Sequence, residues 1–112
     1  MRLIHYADLR RDLEGEMRAL AAWLSIDVPE DRWPAVVDAC RFETVKANPK
    51  KVMGEMADQV WKGGADTFIH KGTNGRWRDV LTDEELAQYE AAMKKTLPPD
   101  CAKWLENGGG YD

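Results

Sequence analysis

Proline and glycine cut this 112-residue sequence into pieces of helical length, and that punctuation limits what the chain can fold into. Pro29, Pro49 and the pair Pro98-Pro99 stand where helices must stop or start, because proline has no backbone N–H and disfavours helical geometry in the residue before it. Pro34 fits a first turn, whose N–H groups have no intrahelical partner. Between these breaks, apolar residues recur at spacings of three and four, the signature of one helix face. Leu13, Met17, Leu20, Ala21 and Leu24 form such a stripe on a helix expected over residues 8–25. Trp33, Val36, Val37 and Cys40 form another, on a helix starting near Glu30 or Asp31, and are expected to face the core.

Phe42 to Asn48 reads as a further short helix ended by Pro49. From Lys50 to Thr73 the pattern weakens around Gly54 and Gly63-Gly64, so this stretch reads mostly as loop, with a helical turn near Val52 to Ala57. Loops of that length in compact domains tend to be functional or disordered. Thr82-Asp83-Glu84-Glu85 has the form of a capping box, in which hydroxyl and carboxylate each take a free backbone N–H. Leu86, Tyr89 and Met93 follow on one face, and a last short helix is expected over Asp100 to Glu106, stopped by the glycines after Asn107. At the other end, Arg2-Leu3-Ile4-His5-Tyr6 reads as a short strand. No partner strand is evident to take its N–H and C=O groups. The expectation is one small, mainly α domain over residues 1–112 with one or two short strands.

Hydrophobic residues make up 44% of the chain and charged residues 32%, an ordinary balance for a soluble globular protein. A net charge of −4 argues against a dedicated nucleic-acid binder, which needs clustered Lys and Arg. No apolar run approaches the roughly 20 residues that span a bilayer, and no signal-peptide pattern stands at Met1, so a cytoplasmic protein with no membrane partner is expected. Cys40 and Cys101 give neither a disulfide framework nor a metal spacing, and His5 and His70 lack partners for a metal site. Of five tryptophans, Trp23, Trp33 and Trp104 are expected in the core, and Trp77 over it beneath the loop.

Chemistry is suggested by His70-Lys71-Gly72-Thr73-Asn74-Gly75-Arg76-Trp77. A lysine beside a glycine suits an anion, since the ammonium supplies charge and glycine lets backbone N–H groups approach phosphate oxygens. Alone, such a turn is more often a solvated loop. Its company is more specific: Tyr6-Ala7-Asp8-Leu9 lies near the start, Phe42-Glu43-Thr44-Val45-Lys46-Ala47-Asn48-Pro49 follows the second helix, and Lys71 lies 22 residues beyond Pro49. In order and spacing these motifs resemble the C-terminal part of the cytosolic-type sulfotransferases, enzymes of an α/β, P-loop-like fold that use 3′-phosphoadenosine 5′-phosphosulfate.

The resemblance implies a truncated sulfotransferase-like domain that retains the segment for the adenosine 3′-phosphate. By it, Tyr6 would touch the adenine, Phe42 would pack against the ring, and Cys40 and Arg41 would stand where the family commonly has threonine and serine. His70, Lys71 and Gly72 would hold the ribose 3′-phosphate of that cofactor, or of adenosine 3′,5′-bisphosphate. His70 replaces the usual arginine, exchanging a permanently charged fork for an imidazole. Asp83 and Ala87 replace the valine and glutamate of the family's dimer motif. The family's Gly-rich phosphosulfate loop and its general-base histidine belong to the other half of the domain, so this chain is not expected to transfer sulfate alone. The alternative is a small helical interaction protein that has lost nucleotide binding and buries its apolar faces in a homo-oligomer or against a complementing chain.

Overall fold

The computed structural model describes residues 1–54, 56–69 and 71–109. Among them the chain is mainly helical, as expected, and contains no strand. The elements are α1 (Tyr6–Arg11), α2 (Leu13–Trp23), a 3-10 turn (Glu30–Arg32), α3 (Trp33–Cys40), α4 (Phe42–Ala47), α5 (Pro49–Met53), α6 (Ala57–Val60), α7 (Gly64–Phe68), a second 3-10 turn (Arg76–Asp79), α8 (Asp83–Thr96) and α9 (Pro99–Asn107). They divide into two compact units: a terminal unit of Met1–Asp12 with Thr73–Asp112, and a central unit of Leu13–Gly72.

In the terminal unit the expected strand gives way to a helix cap. His5 keeps extended backbone angles (φ −94°, ψ 136°), but α1 starts at the next residue. The Ala7 N–H donates to His5 Nδ1 at 3.0 Å, so the ring proton sits on Nε2, which donates to the Leu105 carbonyl at 2.9 Å. The same ring meets Trp104 of α9 edge-on, with centroids 5.2 Å apart. A lone strand has no ladder to join. A cap satisfies an orphan N–H locally, and so it wins.

Asp8 fixes the other end of this contact. Its carboxylate accepts the Gly109 N–H at 2.8 Å and the Arg11 guanidinium at 2.7 Å. Gly108 turns the chain out of α9 at φ +70°, and a Cβ there would fall 2.7 Å from an Asp8 oxygen. α8 opens with the expected capping box: Glu85 takes the Thr82 N–H at 2.8 Å and Thr82 Oγ1 takes the Glu85 N–H at 3.3 Å. Trp77 packs on Tyr89 with centroids 5.1 Å apart, and the Arg78 guanidinium lies 4.8 Å from the Trp77 ring. Partial burial, then the neighbouring Glu106 carboxylate, push the Tyr89 phenol above its ordinary pKa.

The central unit is organised on α3. Trp33 and Val37 are buried, at 5% and 2% exposure. Arg18 of α2 staples this region. Its guanidinium lies 4.5 Å from the Trp33 ring centroid and donates to both oxygens of Glu30 at 2.8 and 3.0 Å, and to Glu14 at 2.8 Å. Hydrogen bonding from Arg18 holds the Glu30 carboxyl below its ordinary pKa. Two core expectations fail: Val36 and Cys40 of the same stripe are exposed, and Trp23 is 53% exposed at the end of α2. Only the pair four residues apart is enclosed by the unit's short helices.

The long helix expected over residues 8–25 is broken at Asp12, whose angles (φ −144°, ψ 77°) leave the helical region while its N–H still bonds the Asp8 carbonyl. The expected loop after Lys50 is instead α5, α6 and α7, with α5 and α6 packing on α7. Gly63 at φ +91° supplies the turn into α7, and the Thr67 hydroxyl donates to its carbonyl at 2.8 Å. These helices span only four or five residues each, too few for an apolar face to repeat.

Candidate functional site

A single non-helical residue separates α3 from α4. Arg41 is extended (φ −65°, ψ 141°); its N–H donates to the Asp38 carbonyl at 3.1 Å and its carbonyl accepts the Val45 N–H at 2.9 Å. It therefore ends one helix and begins the next, which sets Phe42 at the first position of α4. Cys40 closes α3 with an exposed thiol, Arg41 is exposed, and Phe42 is half-buried.

The covering residue is Gly72. A Cβ on Gly72 would lie 2.7, 2.8 and 3.0 Å from Cε2, Cδ2 and Cζ of Phe42. Near-equal distances to three consecutive ring atoms place that position over the ring face, since an in-plane approach would leave the outer two noticeably farther. Gly72 also sits at φ +58°, in the left-handed region that side chains with a Cβ avoid. Two separate reasons thus require glycine here. The contact joins two of the motif segments, 30 positions apart, and Lys71, the residue before Gly72, is exposed.

A cation lies over the Phe42 ring. Lys46 stands one helical turn after Phe42, with Nζ 5.7 Å from the ring centroid. It stands outside the site residues that the motifs imply. The signal that would have found it is its spacing, since residues i and i+4 on a helix are neighbours.

Tyr6 belongs to the terminal unit, as the first residue of α1, and is 50% exposed. His70 lies outside the described residues. His5, the other histidine, has both ring nitrogens engaged within the terminal unit. Among the described residues no group of three or more His, Cys, Asp or Glu side chains could hold a metal ion, and no helix is long and apolar enough to cross a membrane.

Residues 1–102 match the family model described as the sulfotransferase domain. The glycolipid sulfotransferase of Mycobacterium bovis is 29% identical over 111 residues, covering 98% of this chain and 34% of that protein. The glycolipid sulfotransferase of Mycobacterium tuberculosis is 28% identical over the same length and shares. Sulfotransferase 1 family member D1 of Rattus norvegicus is 28% identical over 101 residues, 90% of this chain and 34% of that protein. The chain thus spans about a third of the length of the curated relatives it matches. No solved structure matches it.

Proposed function

Since the chain belongs to the sulfotransferase domain family, we propose that its central unit binds the adenosine 3′-phosphate portion of 3′-phosphoadenosine 5′-phosphosulfate. The observation that carries this reading is the Gly72 backbone over the face of Phe42. It brings an aromatic platform and a Lys-Gly turn together, and a Cβ would destroy the contact.

The residues fit such a ligand. Phe42 offers a half-buried aromatic ring to a purine, and stacked aromatic rings contribute about 0.5–1.5 kcal/mol beyond the area they bury. Lys71 supplies charge for a phosphate, and the glycine after it leaves the backbone N–H approachable. Arg41, exposed at the helix junction, adds a forked donor of the kind that suits phosphate. When bound, the cofactor would supply an activated sulfuryl group, held as a mixed anhydride with phosphate. The role of this chain's residues is recognition. A general base must reach the acceptor hydroxyl, and His5 is committed to its cap and to Leu105; no base is assigned among the described residues.

Calorimetric titration of the 112-residue chain with adenosine 3′,5′-bisphosphate tests the reading. Saturable heat, lost in Phe42→Ala, is expected. Absence of heat for the unaltered chain removes nucleotide binding from the reading.

A second reading, a self-associating helical module, is favoured by one observation. Trp61 and Phe68 stack on each other at 4.4 Å between centroids, yet remain 41% and 53% exposed. Aromatic pairs of this kind anchor interfaces between chains. Light scattering at high concentration distinguishes it: a dimer that Trp61→Ser dissociates supports it, and a monomer throughout overturns it.

A further inference from the structure

In the terminal unit one apolar stripe runs along α8 to its C-cap: Leu86, Tyr89, Met93 and Leu97, all half-buried at helical spacing. Trp77 packs on the stripe at Tyr89, with ring centroids 5.1 Å apart. Beyond Tyr89 the stripe enters a groove between α8 and α9 of about 480 Å³. That volume falls within the roughly 300–1,000 Å³ typical of small-molecule sites. α9 folds back along α8 after Pro98, which brings the Glu106 carboxylate beside the Tyr89 phenol. The groove is therefore ordered along its length. Glu90 and Glu106 line the end towards Tyr89. Met93, Leu97, Pro99 and Ala102 line the end at the turn, where Ala102 contributes only a methyl group. Lys94 from α8 and Lys103 from α9 flank that apolar end. Both lysines are exposed, and neither ammonium has a hydrogen bond or ion pair among the described residues.

We propose that the turn end of this groove binds a small amphipathic anion, an alkyl or aryl carboxylate or sulfate. Its apolar body lies on Met93, Leu97 and Ala102, where burial removes hydrocarbon from water. Its head group takes charge-assisted hydrogen bonds from Lys94 and Lys103, about twice as strong as neutral ones. The carboxylates of Glu90 and Glu106 repel the head from the other end, which fixes its place at the turn. An uncharged ligand of the same body gains the floor and not the lysines. A cationic one meets like charge from both helices. The site belongs to the terminal unit and stands apart from the nucleotide reading, which rests on the central unit.

The competing account is structural: Lys94 complements the α8 dipole from its last turn, and Lys103 is merely solvated. Lys95 supplies the control, since it shares that last turn and does not line the groove. The 112-residue chain is titrated calorimetrically with decanoate and, separately, with decanol, both below the concentrations at which they aggregate. Saturable binding of decanoate is expected, with decanol about tenfold weaker. Replacing Lys94 and Lys103 together by Met is expected to weaken decanoate about tenfold, the loss of a charged hydrogen bond, and decanol less than about twofold. Lys95→Met is expected to change neither, and Ala102→Phe, which fills the groove, to weaken both. Should Ala102→Phe fail to fold, methyl NMR of the unaltered chain locates the site: decanoate must shift Met93 and Ala102, and shifts confined to other methyls overturn the proposal. No saturable decanoate binding, equal binding of decanol, or a Lys95→Met effect as large as that of the pair also overturns it. So does a dimer in light scattering that Ala102→Phe dissociates and decanoate leaves intact, because the groove then receives a second copy of the chain.

Discussion

The backbone of Gly72 lies over the face of the Phe42 ring, so close that a Cβ would come within 2.7 Å of Cε2. The glycine of one motif and the aromatic residue of another thus form a single packed contact inside the central unit. The contact ties the conformation of the Lys71-Gly72 turn to the position of α4.

Gly72→Ala is expected to destabilise the central unit by about 2–5 kcal/mol, from left-handed strain of about 1–2 kcal/mol and overpacking of about 1–3 kcal/mol. Gly75→Ala is the control. Gly75 also has positive φ, at +77°, but nothing lies within 4 Å of its Cβ position. Its cost should stop at the strain, about 1–2 kcal/mol. Urea unfolding of both variants measures the difference, and equal costs would mean that the Phe42 contact contributes nothing.

Val37→Ala is expected to cost about 1–3 kcal/mol, because the residue is 2% exposed and its loss leaves a cavity. Val36→Ala, one position earlier at 37% exposure, should stay within about 0.5 kcal/mol. Chemical denaturation followed by tryptophan fluorescence reads both.

His5→Ala removes the α1 cap and the bond to the Leu105 carbonyl together. A loss of about 1–2 kcal/mol is expected. Hydrogen exchange should show it as faster exchange at Ala7, whose N–H loses its acceptor, with the central unit unchanged.

Glu85 gives a pH dependence of known sign. The Thr82 backbone N–H, then the Thr82 hydroxyl, hold its carboxyl below the ordinary range. Its contribution to α8 is therefore fully present above the ordinary carboxylate pKa and is lost as pH falls through the lowered value. Far-UV circular dichroism during acid titration should show α8 loosening in that window, and Glu85→Gln should flatten this part of the curve. Thr82→Ala should cost about 1 kcal/mol near neutrality through the lost cap.

What the sequence decided by itself was whatever depends on neighbours along the chain. The capping box at Thr82 and Glu85, the helix stops at Pro49 and Pro98, and the break before α4 rest on covalent geometry and hydrogen bonds spanning a few residues. They were legible for that reason. The sulfotransferase family was legible too, because three motifs in fixed order carry it.

Tertiary structure decided what depends on partners far away in sequence. Residues 2–6 had the composition of a strand, but with no ladder to join they ended in a cap whose imidazole is held by Leu105, 100 positions on. Trp23 and Trp33 looked alike as core residues, and only the placement of Arg18 and α3 separates the exposed one from the buried one. At the candidate site, Phe42 and Gly72 could be named from motifs, but not their face-to-backbone contact, nor the arrival of Lys46 on the same ring. Such contacts depend on distances through space, and one-dimensional spacing fixes those only within a single turn of helix.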